Sequence, residues 1–354
     1  MDFPNLRKVK KVLIIKLRSL GDVLLATPLF EVLKKRLPGV QIDTYVYADA
    51  LPLLEGNPFI SNIFTYDQKN KKKNIVTRWV KEFQMLKKLR SQKYDLVMNL
   101  TEGDRGAIAA LLSDAKIRVG LKENKRREGF YTHLTKIPGN PRHTVEKNLD
   151  YLRRIGLFPE DFEKNIFLPI SEEVKRKALI ELGRVNFQPG EFIVIHPAAR
   201  WDYKAWPAFR FERLVRQLID RGEKLVFTAS SRPNEMHKVA TIVQDLDSSK
   251  YLNLAGKIEL PEMSALISLS KLLITVDSLP LHMASALKQK TVAIFGPTQE
   301  KLWGPWQNEQ AKVLFEDYSC RPCCQAGCGG SKRCECLHNL KETRVLQAAE
   351  ELLG

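Results

Sequence analysis

The stretch from Lys271 to Thr298, KLLITVDSLPLHMASALKQKTVAIFGPT, restricts the fold more than any other part of the 354-residue chain. An apolar run, Leu272 to Val276, leads into the polar elbow Asp277-Ser278-Leu279-Pro280-Leu281-His282 and a short helical segment. A second apolar run, Thr291 to Phe295, closes on Gly296-Pro297-Thr298. That order is strand, turn, helix, strand, a unit whose strands run parallel with helices over the sheet. Ser278 can cap the helix and Pro280 suits its first turn, where backbone N–H groups attract anions. Ligands of such sheets lie at the carboxyl ends of the strands, where Asp277 and Gly296 both fall. A phosphate-bearing ligand fits that place; an ordinary βαβ unit whose Asp and Ser only cap a helix fits the pattern equally.

The remainder repeats this grammar. Residues 12–17 read as a buried parallel strand, followed by the turn Arg18-Ser19-Leu20-Gly21-Asp22 and a helix from about Val23 to Arg36 that stops at Pro38-Gly39. Strand-like runs at 42–47, 62–66, 95–100 and 117–121 alternate with helical segments. A second series opens after Pro169, with a helix that Ser171 and Glu172 would start, strands at 192–197, 224–229 and 251–255, and helices at 208–221, 234–245 and 261–269. The expected architecture is therefore α/β with two doubly wound domains facing across a cleft, 1–170 and 171–340, and a last helix within 341–354.

Charge separates these halves. Through Ile170 there are 32 Lys and Arg against 19 Asp and Glu, while the remainder holds 25 against 22, so a net charge of +16 lies mostly in the first domain. A basic half suits phosphorylated or carboxylated substrates, an anionic membrane surface or nucleic acid, and a merely solvated basic face remains open. Two basic stretches stand out, Lys69 to Arg90 and Leu121 to His133. No apolar run approaches the ~20 residues that span a bilayer, and the amino terminus does not read as a signal peptide, which points to a cytoplasmic protein. All six cysteines fall between Cys320 and Cys336; with nothing to signal export, they suggest a reduced loop, an oxidisable dithiol or a thiolate metal site using Cys320, Cys323, Cys324 and Cys328.

Two further segments carry chemistry. KLRSLGDVLLATP, Lys16 to Pro28, places Asp22 at a strand-to-helix turn, where it can serve as a general base on an incoming hydroxyl or simply cap the helix. HPAARWDYKAWP, His196 to Pro207, occupies the matching position in the second domain, where Arg200 and Lys204 could neutralise a departing pyrophosphate.

Together with NLTEGDRG (99–106), SSRPNEMH (230–237), VDSLPLHMASAL (276–287), VAIFGPT and CRPCCQAGCGG, these segments resemble the lipopolysaccharide heptosyltransferases of glycosyltransferase family 9 over nearly the whole chain, with most likeness to the heptosyltransferase III branch. The resemblance implies a GT-B fold with two Rossmann-like domains, the first for the acceptor and the second for the nucleotide sugar. It implies ADP-heptose as donor, no required cofactor or metal, and inverting transfer of heptose to the lipopolysaccharide inner core, as a side branch on a core heptose. By position Asp22 resembles the catalytic base and Lys204 the residue that counters charge on the leaving diphosphate. Glu235 resembles a donor-ribose contact, Ile258 falls near the adenine, and Asp277 is similar to the residue that binds the heptose, with Ser278 and His282 beside the diphosphate and Arg200 nearby. Arg18, Arg105, Lys125, Arg126 and Arg127 would receive the anionic acceptor, and the basic face would hold the enzyme peripherally on the inner leaflet. Leu279 stands where many members carry Gly, narrowing the approach to the phosphates. Two other readings share some of these features: a GT-B glycosyltransferase using another sugar nucleotide, and a basic nucleic-acid-binding protein, against which the chain lacks a groove-reading motif or stacking aromatics.

Overall fold

The computed structural model describes residues 3–68, 74–122, 125–136 and 139–354. The lysine run at 69–73 and residues 123–124 of the second basic stretch lie outside the described residues. The chain divides into two units, Met1–Pro169 and Ile170–Gly354.

In the first unit, β1 (Lys11–Lys16), β2 (Gln41–Tyr47), β3 (Asn62–Tyr66), β4 (Leu96–Asn99), β5 (Ile117–Leu121) and β6 (His133–Thr135) form one sheet in the order β3-β2-β1-β4-β5-β6. Every pairing is parallel. Val12, Leu13, Ile14 and Ile15 are all fully buried, as a central strand covered on both faces requires. In the second unit, β7 (Phe192–His196), β8 (Lys224–Phe227), β9 (Tyr251–Asn253), β10 (Leu272–Val276), β11 (Thr291–Ile294) and β12 (Ala311–Leu314) repeat the arrangement, in the order β12-β11-β10-β7-β8-β9. These pairings are parallel too. Both units are doubly wound Rossmann-like sheets, the fold class of GT-B glycosyltransferases.

Strand order decides where a ligand can sit. Each sheet reverses direction once, between β1 and β4 and between β7 and β10, and crevices open at such switch points. The register sets Ile15 beside Asn99 in one sheet and His196 beside Thr275 in the other, so the loops leaving these strands emerge side by side.

Three departures from the sequence reading have local causes. The helix expected over 23–36 is two helices, Leu20–Leu24 and Pro28–Arg36. Pro28 has no N–H for the carbonyl of Leu24, and the Thr27 hydroxyl donates to it instead at 2.8 Å. The basic stretch read as irregular contains a four-residue helix, Lys125–Glu128, and ends at His133, the first residue of the edge strand β6. The other outer strand, β12, also escaped notice. Edge strands of three or four half-buried residues lack the apolar continuity that marks a central one.

The last helix, Glu342–Leu353, belongs to the second core. Val345, Leu346, Ala348 and Ala349 pack with Phe211, Leu214 and Ile294, and the Trp206 indole N–H donates to the Leu340 carbonyl at 3.1 Å.

Candidate active site

In the first unit, Asp22 lies one residue past the glycine of the β1 turn, in the five-residue helix Leu20–Leu24, and is buried. Ser19 does not cap this helix through its side chain; its hydroxyl donates to Asp22 Oδ2. Arg18 Nε approaches Asp22 Oδ1 at 3.9 Å, and Arg18 Nη1 lies 3.5 Å from Glu102 on the loop after β4. Behind the turn, the buried Lys16 Nζ donates to the Leu100 carbonyl at 3.2 Å and to Asn148 Oδ1 at 3.1 Å. Burial pulls its ammonium down to about 8, against the stabilising charge of Asp22. A carboxylate oriented by a hydroxyl at the carboxyl end of a strand is equipped to accept a proton from a bound alcohol.

The basic residues expected to meet an acceptor are mostly engaged. Arg105 forms a two-pronged ion pair with Glu82, at 2.6 and 3.0 Å, with its guanidinium 4.1 Å from the centre of the Tyr66 ring. Arg127 pairs with Asp104 at 3.0 Å, while Lys125 and Arg126 are exposed on the short helix. Close by, Asn99 Nδ2 donates to the Tyr131 hydroxyl, and a Cβ at Gly106 would stand 2.4 Å from Asn99 Oδ1, so only glycine fits there.

In the second unit the switch point holds a charge pair. Lys204 Nζ, on the loop after β7, lies 2.8 Å from Asp277 Oδ2 at the end of β10, with side-chain exposures of 20% and 5%. Ser278 precedes the helix Leu279–Leu287 but makes no side-chain cap; its hydroxyl donates to the Val276 carbonyl at 3.2 Å and lies 3.3 Å from Thr275 Oγ1. The expected cap is therefore not formed, because the hydroxyl faces back along the strand, although Pro280 does occupy the first turn. Leu279 opens the helix where the resemblance favours glycine. His282 is buried within that helix, its ring 6.4 Å from that of Trp303. His196, at the end of β7, sits with Nδ1 3.0 Å from Thr228 Oγ1, and burial pulls it down to about 4.

Glu235 accepts from the Ser230 N–H at 3.1 Å and hydroxyl at 2.7 Å, and Arg232 lies 3.5 Å away. It is thereby fixed at the carboxyl end of β8 in the first turn of the helix Pro233–Val243. Arg200 is exposed, 5.6 Å from the centre of the Trp201 ring. Ile258 is half-buried.

The cysteine segment wraps the loop that closes β11. Arg321, almost fully buried, donates from Nε to the Gly296 carbonyl at 2.6 Å, pairs with Glu300 at 3.0 Å, and stacks 4.0 Å from the centre of the Phe315 ring. The Cys324 N–H donates to the Pro297 carbonyl at 2.8 Å, and the Cys334 thiol donates to the Tyr203 carbonyl at 3.2 Å, next to Lys204. Leu337 fills the space a Cβ at Gly296 would need, at 2.5 Å. The thiolate metal site suggested for Cys320, Cys323, Cys324 and Cys328 is not assembled: among the described residues, no three His, Cys, Asp or Glu side chains group to hold a metal ion. The thiols differ in surroundings, with Cys320, Cys324 and Cys328 exposed and Cys334 and Cys336 buried, where burial pushes the Cys334 thiol up to about 12 and keeps it protonated.

Residues 82–332 match the sequence pattern of glycosyltransferase family 9 (heptosyltransferase). The chain belongs to this family. An Escherichia coli relative, lipopolysaccharide heptosyltransferase 3, is 33% identical over 309 residues, covering 85% of this chain and 88% of the relative. A solved family 9 glycosyltransferase from Veillonella parvula superposes with a TM-score of 0.81 at 25% identity, covering 97% of each chain. E. coli heptosyltransferase WaaC, solved with ADP-2-deoxy-2-fluoro heptose, shares the fold at a TM-score of 0.74 and 19% identity, over 96% of this chain and 99% of that one.

Within this family 9 glycosyltransferase, three features went unread in the sequence. Arg321 is hidden among the cysteines, and its role shows only in its reach to Gly296 and Glu300. Thr298 ends the β11 loop with a buried hydroxyl that has no hydrogen-bond partner among the described residues. Lys16 falls within the strand read as buried but has no part of its own in that reading, and the structure shows its ammonium buried behind the Asp22 turn.

Proposed function

We propose that this glycosyltransferase transfers L-glycero-D-manno-heptose from ADP-heptose, with inversion, to the inner core of lipopolysaccharide, adding a side branch to a core heptose. The observation that carries the reading is the Lys204–Asp277 pair at the switch point of the second sheet. A diphosphate sugar supplies a partner for each member: phosphate oxygens for the ammonium, sugar hydroxyls for the carboxylate. Lys204 then steadies the negative charge that grows on ADP as the glycosidic bond breaks, and Asp277 holds the heptose.

Ser278 and Arg200 lie on the loops, and His282 in the helix, that would flank the diphosphate, while Glu235 would receive the ribose and Ile258 would offer an apolar edge to the adenine. Asp22 takes the proton from the attacking core hydroxyl, and its bond from Ser19 holds the carboxylate in one orientation. Arg18, Lys125 and Arg126, together with the ion-paired Arg105 and Arg127, would offer positive charge to acceptor carboxylates and phosphates. Division of labour follows, with the first unit serving the acceptor and the second the donor. The 33% identity to an E. coli lipopolysaccharide heptosyltransferase 3 supports the acceptor class. Lipopolysaccharide is a membrane lipid, so in this reading the enzyme works at a cytoplasmic bilayer surface, held there peripherally by the basic face of the first unit; among the described residues no helix is long and apolar enough to cross a membrane.

Release of ADP from ADP-heptose by the purified protein tests this. Release that requires core acceptor is expected; turnover of another sugar nucleotide in preference to ADP-heptose would overturn the donor assignment.

A further inference from the structure

The helix Ile75–Ser91 carries apolar side chains on two faces. One face is ordinary: Leu89 is buried, Met85 and Leu86 pack against the first core, and Glu82 holds Arg105. The other is not covered. Val76, Trp79, Val80 and Phe83 are 67%, 63%, 47% and 69% exposed, and their spacing of three, four and seven residues sets them in one stripe along two turns. The stripe continues into charge, since Lys87 and Arg90, four and seven residues beyond Phe83, are exposed as well. The helix Asp104–Leu112 packs beside it, joined by the Arg105–Glu82 pair and by Arg90 to Asp114 at 3.7 Å, and adds the exposed Ile108, Leu111 and Leu112.

Two large aromatics exposed on one stripe are unusual on a water-facing helix, because immersing each would remove well over a hundred square ångströms from water. The chemistry around the stripe selects the occupant. Trp and Phe side by side, with Lys and Arg at the end of the same stripe, match the boundary between lipid headgroups and acyl chains, where aromatic rings settle and cations meet anionic lipid. The first unit also carries the excess charge, with 32 Lys and Arg against 19 Asp and Glu through Ile170.

We propose that Val76, Trp79, Val80 and Phe83 form a membrane-docking stripe that lies in the surface plane of an anionic bilayer, with Lys87 and Arg90 on its headgroups. The assignment deepens the reading above, on which it rests for why this enzyme visits a bilayer. It places the docking element on the acceptor-binding unit, so that the enzyme meets its lipid-borne acceptor without extracting it.

The test is flotation of the full-length protein with vesicles containing phosphatidylglycerol and with vesicles of phosphatidylcholine alone. Wild type is expected to float with the anionic vesicles, and Trp79→Glu/Phe83→Glu to lose at least about tenfold in apparent affinity. Phe162→Glu, at a 71% exposed apolar site elsewhere in the same unit, is expected to bind as wild type does. Heptose transfer to a deacylated, soluble core acceptor should be equal in wild type and the double variant. Failure of wild type to bind anionic vesicles, equal binding by the double variant, or a wild-type dimer that the double variant dissolves would overturn the docking assignment. Absence of heptose transfer by every form would instead sink the functional reading, because the vesicle result stands without turnover.

Discussion

The two switch points follow one plan and are built differently. In the first unit the Asp22 carboxylate stands on a five-residue helix, held by one hydroxyl and approached by an exposed arginine. In the second, Asp277 is paired with Lys204, and the neighbouring β11 loop is strapped by Arg321, Cys324 and Leu337. The contrast matches their proposed tasks. A nucleotide diphosphate presents the same groups at every turnover and rewards a site organised beforehand. A core oligosaccharide on a lipid is large, and the unit proposed to receive it combines a lightly held carboxylate with a cationic face and an exposed apolar helix stripe.

The sharpest way to break that division is at Asp22. Asp22→Asn keeps the shape and removes the proton acceptor, so turnover should fall by roughly 10³-fold or more while ADP affinity in calorimetry stays within a factor of about two. Comparable loss of ADP binding would mean that the first switch point holds donor as well, and the two units would not be specialised.

Lys204→Ala addresses the other side. Loss of a cation that steadies the leaving diphosphate should lower kcat by roughly 10²-fold, and it also strands Asp277 with little access to water. Steady-state kinetics with ADP-heptose would show a fall in kcat larger than any rise in KM; an unchanged kcat would remove Lys204 from the mechanism and leave the pair structural.

Much of this plan was legible in the sequence because doubly wound sheets write themselves in short apolar runs. VLIIK, FIVIH and LLITV are almost wholly apolar, and the loops after them hold the polar residues, so position marked Asp22, Lys204 and Asp277 as candidates while leaving simple capping open, and the family resemblance supplied their expected roles. What stayed hidden depends on contacts far apart in the chain. Nothing near Ser278 says that its hydroxyl will turn toward Thr275 instead of the helix N-terminus. Arg105 carries charge that looks available until Glu82, 23 residues earlier, is found paired to it. The cysteines left a reduced loop, an oxidisable dithiol and a metal site open, and none of these pointed to Arg321, whose bonds to Gly296 and Glu300 tie that segment to the β11 loop.

Titration offers a milder way to sharpen the comparison, because each unit buries a base near its candidate site whose proton affinity is strongly lowered. His196 is held neutral down to about 4, so between pH 6.5 and 4 the unfolded chain binds the extra proton and stability falls with falling pH. Lys16, brought down from 10.5 to about 8, acts in the alkaline window: between pH 8 and 10 the unfolded chain again holds more protons, so stability rises with pH. Each contribution should be on the order of 2 kcal/mol. Chemical denaturation across pH would show the acid slope flattened by His196→Asn and the alkaline slope by Lys16→Met; the reverse assignment, or no change, would contradict the burial of these groups.

The smallest effect tests whether the strap on the β11 loop serves the donor. Arg321 reaches Gly296 through Nε and Glu300 through Nη2, two contacts that lysine cannot reproduce together. If the strap positions the loop bearing Thr298, Arg321→Lys should raise KM for ADP-heptose by about tenfold with kcat and acceptor KM little changed, because the loop loses its preset shape without losing a group that touches the reacting atoms. Thr298→Val, which removes the buried hydroxyl at the end of that loop, should raise the same constant, and the double variant should be less than additive since both changes act on one contact. A merely structural arginine would instead lower the denaturation midpoint and leave donor KM where it was. That result would detach the cysteine segment from the donor side and make the contrast between the two switch points one of packing, not of function.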